Sequence, residues 1–122
     1  MTGAEVGKRY VALIKENKHE ECLAELFSQD AVSVEALAPT GGDRTAKGIE
    51  AIRGKGKWWM ENHTVHKAEV SGPYPHDDRF AVRFVYDITQ KPTGKRLTMD
   101  EVGLFTIADG KIVREEFFYT GS

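Results

Sequence analysis

The chain has 122 residues, of which 40% are apolar and 30% charged, a mixture typical of globular domains rather than of disordered, collagen-like or membrane-embedded chains. Lys and Arg number 17 and Asp and Glu number 19, so the formal net charge is -2. Charges of one sign do not form blocks, which argues against a nucleic acid or an anionic membrane as partner. This length predicts one domain, spanning residues 1–122.

The single cysteine and the N-terminal segment indicate the cellular compartment in which the protein is expected. Cys22 lies in ECLAELF and has no second cysteine with which to form an intrachain disulfide, which fits a reducing environment. The segment MTGAEVGKRYV lacks the apolar core of a signal peptide, and no apolar run reaches the roughly 18 residues of a membrane span. We therefore expect a cytoplasmic protein.

The first half of the chain predicts helices around one strand. Apolar residues recur at helical spacing in two consecutive segments, namely Val6, Tyr10, Leu13 and Ile14, and then Cys22, Leu23, Leu26 and Phe27. Residues 31–37 predict a strand, and LAPTGGDRTAKG predicts a long loop after it. A third helix is predicted over 49–62 from the spacing of Ile49, Ile52, Trp59 and Met60. Within it Gly54 and Gly56 each cost about 1 kcal/mol relative to Ala, so they either permit close packing or break the helix.

The second half predicts strands. Apolar residues alternate with period two over 64–70 and 80–88, and further strands are predicted over 97–107 and 111–120. KPTG at 91–94 predicts a turn, and Asp109-Gly110 predicts a type I′ hairpin, because both central residues of that turn must accept positive φ. Helices followed by a largely antiparallel sheet define an α+β fold.

This order of elements is joined by three sequence motifs: LFSQDAVSVEA near residue 30, KGIEAI at the start of the third helix, and EVGLFTIADGKIVREEFFY near the C-terminus. Together they resemble the nuclear-transport-factor-2-like superfamily, and most closely its SnoaL-like branch. The resemblance implies a strongly curved sheet wrapped around the N-terminal helices to form a cone with an interior cavity. It also implies frequent dimerisation through the outer face of the sheet. The superfamily includes ketosteroid isomerases, polyketide cyclases, epoxide hydrolases and non-catalytic transport proteins, so the fold leaves the chemistry open.

Two acids are candidate catalytic residues. Alternation with Val32 and Val34 places Ser33 and Glu35 in water, whereas the resemblance of DAVSVE to the isomerases' DATVED implies that Glu35 is a general base inside the cavity, with Ser33 binding the ligand. Both interpretations of Glu35 stand. Glu101 shares a strand face with the apolar Met99 and is predicted to be buried. The resemblance implies that Glu101 is a protonated acid that donates a hydrogen bond to a ligand oxygen.

Tyr10 and His66 are candidate second donors. KRYVA resembles the RYVA segment of the isomerases, whose tyrosine donates to the same ligand oxygen, but Tyr10 also lies on the apolar stripe of its helix and would pack there without a role. His66 shares a strand face with Ala68 and Val70 and is either an acid/base group of the cavity or a hydrogen-bonded core histidine.

The segment KWWMENHTVH is interpreted as pocket wall and helix end rather than metal site. His63 and His66 straddle the predicted end of the third helix and therefore do not share a helix face, so neither a metal nor another cofactor is expected. The epoxide-hydrolase triad is absent, since aromatic residues occupy its positions. The predicted ligand-binding walls are Trp58, Trp59, Phe84, Tyr86, Met99, Phe117 and Tyr119.

These features predict a protein that binds a small hydrophobic ligand, with cofactor-independent acid/base catalysis of the isomerase, cyclase or lyase type as the leading function. The alternative is a non-catalytic ligand-binding or dimerisation module. A homodimer is expected because apolar residues also occur on the predicted outer face of the sheet. Those outer-face candidates are Ala81, Val85, Phe105, Ile107, Ile112 and Phe118.

Overall fold

The computed structural model describes residues 2–38 and 42–120. This part of the chain forms three helices and six strands. The helices are α1 (Gly3–Lys15), α2 (His19–Leu26) and α3 (Ile49–Asn62). The strands are β1 (Phe27–Val34), β2 (Thr45–Lys47), β3 (His63–His76), β4 (Arg79–Gln90), β5 (Arg96–Ala108) and β6 (Lys111–Phe118).

Helix α1 begins at a capping box. The Thr2 hydroxyl accepts a hydrogen bond from the Glu5 amide, and the Glu5 carboxylate accepts one from the Thr2 amide, so two amide groups that lack helical partners are satisfied. The apolar stripe predicted from spacing is buried in the structure. Both N-terminal helices are therefore confirmed, and α2 ends where Phe27 turns into extended backbone.

The six strands form one sheet in the order β2-β1-β6-β5-β4-β3. Only β1 and β6 pair in parallel, and the other neighbours are antiparallel. The α+β class with a largely antiparallel, curved sheet around the helices is confirmed. The Asp109-Gly110 hairpin is confirmed as well, since these residues have φ of 51° and 75°.

One strand was missed within the segment predicted as a loop. Strand β2 pairs with β1 through Lys47 opposite Val32 and Thr45 opposite Val34. Three residues are too few to show an alternating pattern, so the Gly and polar residues around them dominated the prediction. Pro39, Thr40 and Gly41 of that predicted loop lie outside the described residues.

Three outer-face predictions and one helix-face prediction are wrong. The pairing of β4 with β5 runs without a register shift, so the alternation continues through Gly103, and Phe105 and Ile107 lie on the same inward face as Glu101. Phe105, Ile107 and Ile112 accordingly lie in the core. Met60, assigned to the apolar stripe of α3, is 50% exposed.

The glycines of α3 neither break the helix nor permit close packing. The helix runs through Gly54 and Gly56, and a β-carbon added at either would meet no atom within 4 Å. Gly7 of α1 is different, because an added β-carbon would lie 2.8 Å from Cβ of Pro73 and 3.0 Å from Cγ of Phe80. Here the absence of a side chain allows α1 to contact the sheet.

This contrast predicts opposite effects of the same substitution. Gly54→Ala should stabilise the protein by about 0.5–1 kcal/mol, because Ala favours the helix and meets open space. Gly7→Ala should destabilise it by about 1–3 kcal/mol, because the overpacking outweighs the gain in helix propensity. Urea unfolding of both variants measures the two signs, and a stabilised Gly7→Ala would contradict the packing described here.

Candidate functional site

A cleft of about 260 Å³ opens beside strands β1 and β2 and helix α3. Its walls combine acidic, basic and apolar side chains. The lining residues are Glu35, Asp43, Arg44, Thr45, Ala46, Ala51, Lys55 and Trp58.

Glu35 lies just beyond the end of β1, where its amide still donates to the Arg44 carbonyl at 2.8 Å. Ala31 and Ser33 are fully buried, and Glu35 continues that inward face with a side chain only 17% exposed. Ser33 is therefore buried and Glu35 is only partly exposed at the wall of the cleft, which agrees with the orientation that the resemblance implied rather than with both side chains lying in water. The more apolar Val32 and Val34 take the opposite face and are only partly buried.

The carboxylate of Glu35 has a partner on each oxygen. Nζ of Lys55 lies 2.8 Å from Oε1, and the Tyr119 hydroxyl donates to Oε2 at 3.0 Å. The Lys55 ammonium also donates to Oγ of Ser33 at 2.5 Å and lies 5.2 Å from the centre of the Phe117 ring. Lys55 thus connects the cleft to the interior of the cone.

Two further glutamates lie near this ion pair. Burial raises the pKa of Glu101 to about 7, the charge of Glu35 adds to the effect, and Lys55 opposes it. Burial likewise raises the pKa of Glu115 to about 7, although Lys55 and a hydrogen bond from Ser33 lower it in part. At neutral pH both groups therefore exist as a mixture of the acid and its anion, which allows either to act as a hydrogen-bond donor.

Three tyrosines around these acids stay neutral over the same range. Burial raises the pKa of Tyr86 and of Tyr119 to about 12, and nearby glutamates add to the effect. Burial also raises the pKa of Tyr10 well above its usual value. These hydroxyls can donate hydrogen bonds but carry no charge near neutral pH.

The structure brings some of the predicted residues to the cleft. Glu35 and Trp58 line it, Tyr119 bonds to Glu35, and Phe117 faces the Lys55 ammonium. Ser33, expected to bind ligand, is fully buried beneath Lys55.

Glu101 is partly buried rather than fully buried as its strand face predicted, and it does not line this cleft. Tyr10 and Phe84 lie in the core, with the Tyr10 ring 4.5 Å from that of Phe105 between centres. The Trp59 ring lies 5.9 Å from that of Tyr86, which is the register partner of Met99. These residues form the packed interior rather than the wall of the cleft.

The two histidines of the segment KWWMENHTVH, His63 and His66, do not line the cleft. His63 caps the C-terminus of α3, where its Nδ1 donates to the Trp59 carbonyl at 2.8 Å, so the prediction of a helix end is confirmed. The exposed His66 lies 2.7 Å from Oγ1 of Thr89, the neighbour of buried Ile88, and therefore on the outer face of the sheet. Within residues 2–38 and 42–120, no group of three or more His, Cys, Asp or Glu side chains could hold a metal ion.

Sequence reasoning missed Lys55 and Glu115. Lys55 lies three residues after Ile52 and four before Trp59, on the same face of α3, and this spacing was a usable signal. Glu115 alternates with Phe117 and Tyr119, both predicted cavity residues, so the period-two rule applied to β6 would have identified it.

The SnoaL-like domain family matches residues 1–119. A protein from Mesorhizobium loti, proposed to be a SnoaL-like polyketide cyclase and also given the name carbohydrate phosphatase, is 44% identical. The alignment covers 98% of this chain and 100% of that one, with a TM-score of 0.91.

More distant structures share the fold. A proposed isomerase from Bacillus subtilis is 21% identical, with 97% of this chain and 86% of that one covered and a TM-score of 0.75. A nuclear-transport-factor-2-like protein from Burkholderia thailandensis is 19% identical, with coverage of 98% and 92% and a TM-score of 0.83. No curated protein matches the sequence.

The helices, the curved sheet and the acidic interior thus define a member of the cone-shaped α+β proteins. The chain belongs to the SnoaL-like domain family. None of the helices in the described residues is both long and apolar enough to cross a membrane.

The two raised glutamate pKa values predict a pH-dependent stability. In the unfolded chain these groups ionise near 4.5, whereas the folded protein retains their protons up to about pH 7. Their contribution to stability is therefore complete below pH 4.5 and is lost as the pH rises through 7. The shift of each group corresponds to about 3 kcal/mol.

Melting temperatures from pH 5 to pH 8 measure this effect. We expect Tm to fall over that range, and to fall less in Glu101→Gln or Glu115→Gln. Glu116→Gln is the control, since Glu116 lies next to Glu115 but points outward and pairs with Arg114. Equal slopes in all four proteins would refute the assignment.

Proposed function

We propose that the protein binds a small hydrophobic ligand in the cleft at Glu35 and performs cofactor-independent acid/base chemistry there. The reaction class is isomerisation, cyclisation or dehydration. The observation that carries the proposal is a carboxylate held by Lys55 and Tyr119 at the wall of an open cleft, with a second, protonatable carboxyl nearby.

The two carboxyl groups differ in environment, as separate acid and base roles require. Glu35 pairs with an ammonium group at the wall of the cleft, where its carboxylate is placed to accept a proton from a ligand carbon. Glu101 is partly buried and its pKa lies at about 7, so below that pH it can donate a hydrogen bond to the oxygen on which negative charge develops. Tyr119 would hold Glu35 in orientation, and Trp58 would supply apolar contact at the mouth of the cleft.

The relatives support this chemistry without defining the reaction. One relative is proposed to be a SnoaL-like polyketide cyclase, and a more distant structure of the same fold is a proposed isomerase. The substrate differs between such proteins even when the fold is shared.

A second candidate, a non-catalytic ligand-binding module, is favoured by the packing of the cone. The rings of Tyr10, Phe80 and Phe105 pack against each other at 4.5–5.8 Å between centres, and Phe84 and Phe117 extend this packing. Glu101 is not among the residues that line the cleft. A ligand in the cleft would then contact Glu35 without reaching the second acid.

The partner proposed for the outer face of the sheet is a second copy of the chain. Val102 and Phe118 are register partners on that face and are 38% and 52% exposed. An exposed apolar patch on a sheet is typical of an interface, and a two-fold axis would pair the patch with itself. The buried thiol of Cys22 fits a reducing compartment, and we propose the cytoplasm as the location.

Glu35→Gln should abolish turnover, because an amide cannot accept the proton, while ligand affinity changes little. Ligands are first found by thermal shift with a panel of ring-containing carbonyl compounds. Proton NMR in D₂O then measures exchange of the hydrogens next to the carbonyl. Glu61→Gln, an exposed acid on α3, is the control and should behave as wild type. Unchanged exchange in Glu35→Gln would exclude Glu35 as the base and favour the non-catalytic candidate.

Glu101→Gln tests the donor separately. The wild-type rate should fall as the pH rises above 7, because Glu101 loses the proton it donates. The amide donates at every pH, so the variant should be slower below pH 7 and should not show that alkaline decline. An identical alkaline limb in both proteins would remove Glu101 from the reaction.

Phe118→Asp should convert a dimer into a monomer in sedimentation velocity at micromolar concentration. The reason is that a charge on the outer face would be buried without a partner in the interface. Met60→Asp is the control, since Met60 is about equally exposed but lies on α3. A wild-type protein that sediments as a monomer would contradict the proposed dimer.

A further inference from the structure

The direction of the hydrogen bonds around Ser33 can be assigned from chemistry alone. An ammonium group only donates, so the Ser33 oxygen must accept the bond from Lys55. The hydroxyl has one proton, and this proton is then free to be directed toward Glu115, which is the register partner of Ser33 in the pairing of β1 with β6 and is buried beside it. Ser33 is fully buried, so water does not compete for either bond.

These groups form a continuous chain of neighbours between the core and the cleft. Buried Glu115 lies beside Ser33 as its register partner, Lys55 bonds to Ser33 and pairs with Glu35, and the other oxygen of Glu35 accepts from Tyr119. Glu115 is 5% exposed and takes no part in the chemistry proposed above. If Glu115 served packing alone, an apolar residue in its place would cost little or no stability, because burying a carboxyl group is itself unfavourable.

The charged groups near this chain come from four elements and one connecting segment. Helix α3 supplies Lys55, the end of β1 supplies Glu35, β5 supplies Glu101 and β6 supplies Glu115. Asp43 and Arg44 face the cleft from the segment that leads into β2. The remaining titratable neighbours are neutral near pH 7, and burial raises their pKa values further; they are Tyr10, Cys22, Tyr86 and Tyr119. One ammonium group therefore interacts electrostatically with three carboxyl groups.

We propose that Lys55 is a counter-ion shared between Glu35 and Glu115, with the Ser33 hydroxyl as the bridge, so that Glu115 is a positioning residue for the base. While Glu115 is neutral, Lys55 pairs with Glu35 alone. When Glu115 ionises, it draws the ammonium inward through Ser33, and Glu35 is freer to accept a proton. This last step rests on the proposed function, whereas the sharing of Lys55 does not.

The sharing is tested without any substrate. Carbon-13 NMR of selectively labelled glutamate follows each carboxyl through a pH titration, and Glu115→Gln identifies the Glu115 signal. Lys55→Met and Ser33→Ala should each raise the Glu115 midpoint by at least about 0.5 pH unit, because each removes a group that favours the anion. Lys57→Met is the matched control, since Lys57 lies on the same helix but is exposed and pairs with Glu61. An unmoved midpoint in both Lys55→Met and Ser33→Ala would overturn the proposal.

The effect on the base is tested in the Glu101→Gln background, in which the donor no longer titrates. Adding Glu115→Gln should lower kcat at pH 8 by about threefold or more and leave kcat at pH 6 and KM nearly unchanged, because Lys55 then stays on Glu35 at every pH. An equal loss of kcat at pH 6 and at pH 8 would indicate that Glu115 has a merely structural role and would overturn its assignment as a positioning residue. If the Glu115 midpoint shifts as expected but no compound is turned over, the sharing of Lys55 is supported and the catalytic function is refuted. Failure of the shared counter-ion and failure of the proposed function therefore give different results.

Discussion

Lys55 and Glu35 form an ion pair 2.8 Å long at the wall of the cleft, and the charge state of the interior depends on it. The same ammonium lowers the pKa of Glu101 and of Glu115 against the stronger effect of burial. One cation cannot neutralise three carboxylates, so two of these groups keep protons up to about pH 7. At neutral pH Glu101 and Glu115 are therefore each a mixture of the neutral acid and its anion.

Much of the fold could be predicted because its signals are local. The apolar stripe of α1, the period of β4 and the turn at Asp109-Gly110 each depend on residues close together in the sequence, and each prediction is confirmed. Strand β2 was missed because it is held by pairing with β1, a contact between distant residues. The inward orientation of Phe105 was missed for a related reason, since the alternation beyond Gly103 is fixed by the pairing of β5 with β4, which runs in unbroken register.

The site could be predicted only in part. The alternation of apolar residues along β1 predicted that Val32 and Val34 form its buried face, yet the structure buries Ser33 and turns Glu35 inward. A polar residue becomes stable in the interior when another element supplies its partner, and here the partner is Lys55 of α3. No pattern within β1 can show that partner. The resemblance to a family indicated the orientation of Glu35 because it carried information about the assembled fold.

The position of the cleft relates the packing of the cone to its chemistry. Aromatic rings fill the interior between α1 and strands β4 and β5, and this packing holds the sheet in shape. The acids lie toward the other end of the sheet, where β1, β6 and α3 meet, and the cleft opens there. Such an arrangement keeps Glu101 and Glu115 largely away from water while Glu35 remains in contact with it. Glu35 at the wall of the cleft and the more deeply placed Glu101 and Glu115 thus differ in environment, chiefly through burial, as the proposed division into acceptor and donor requires.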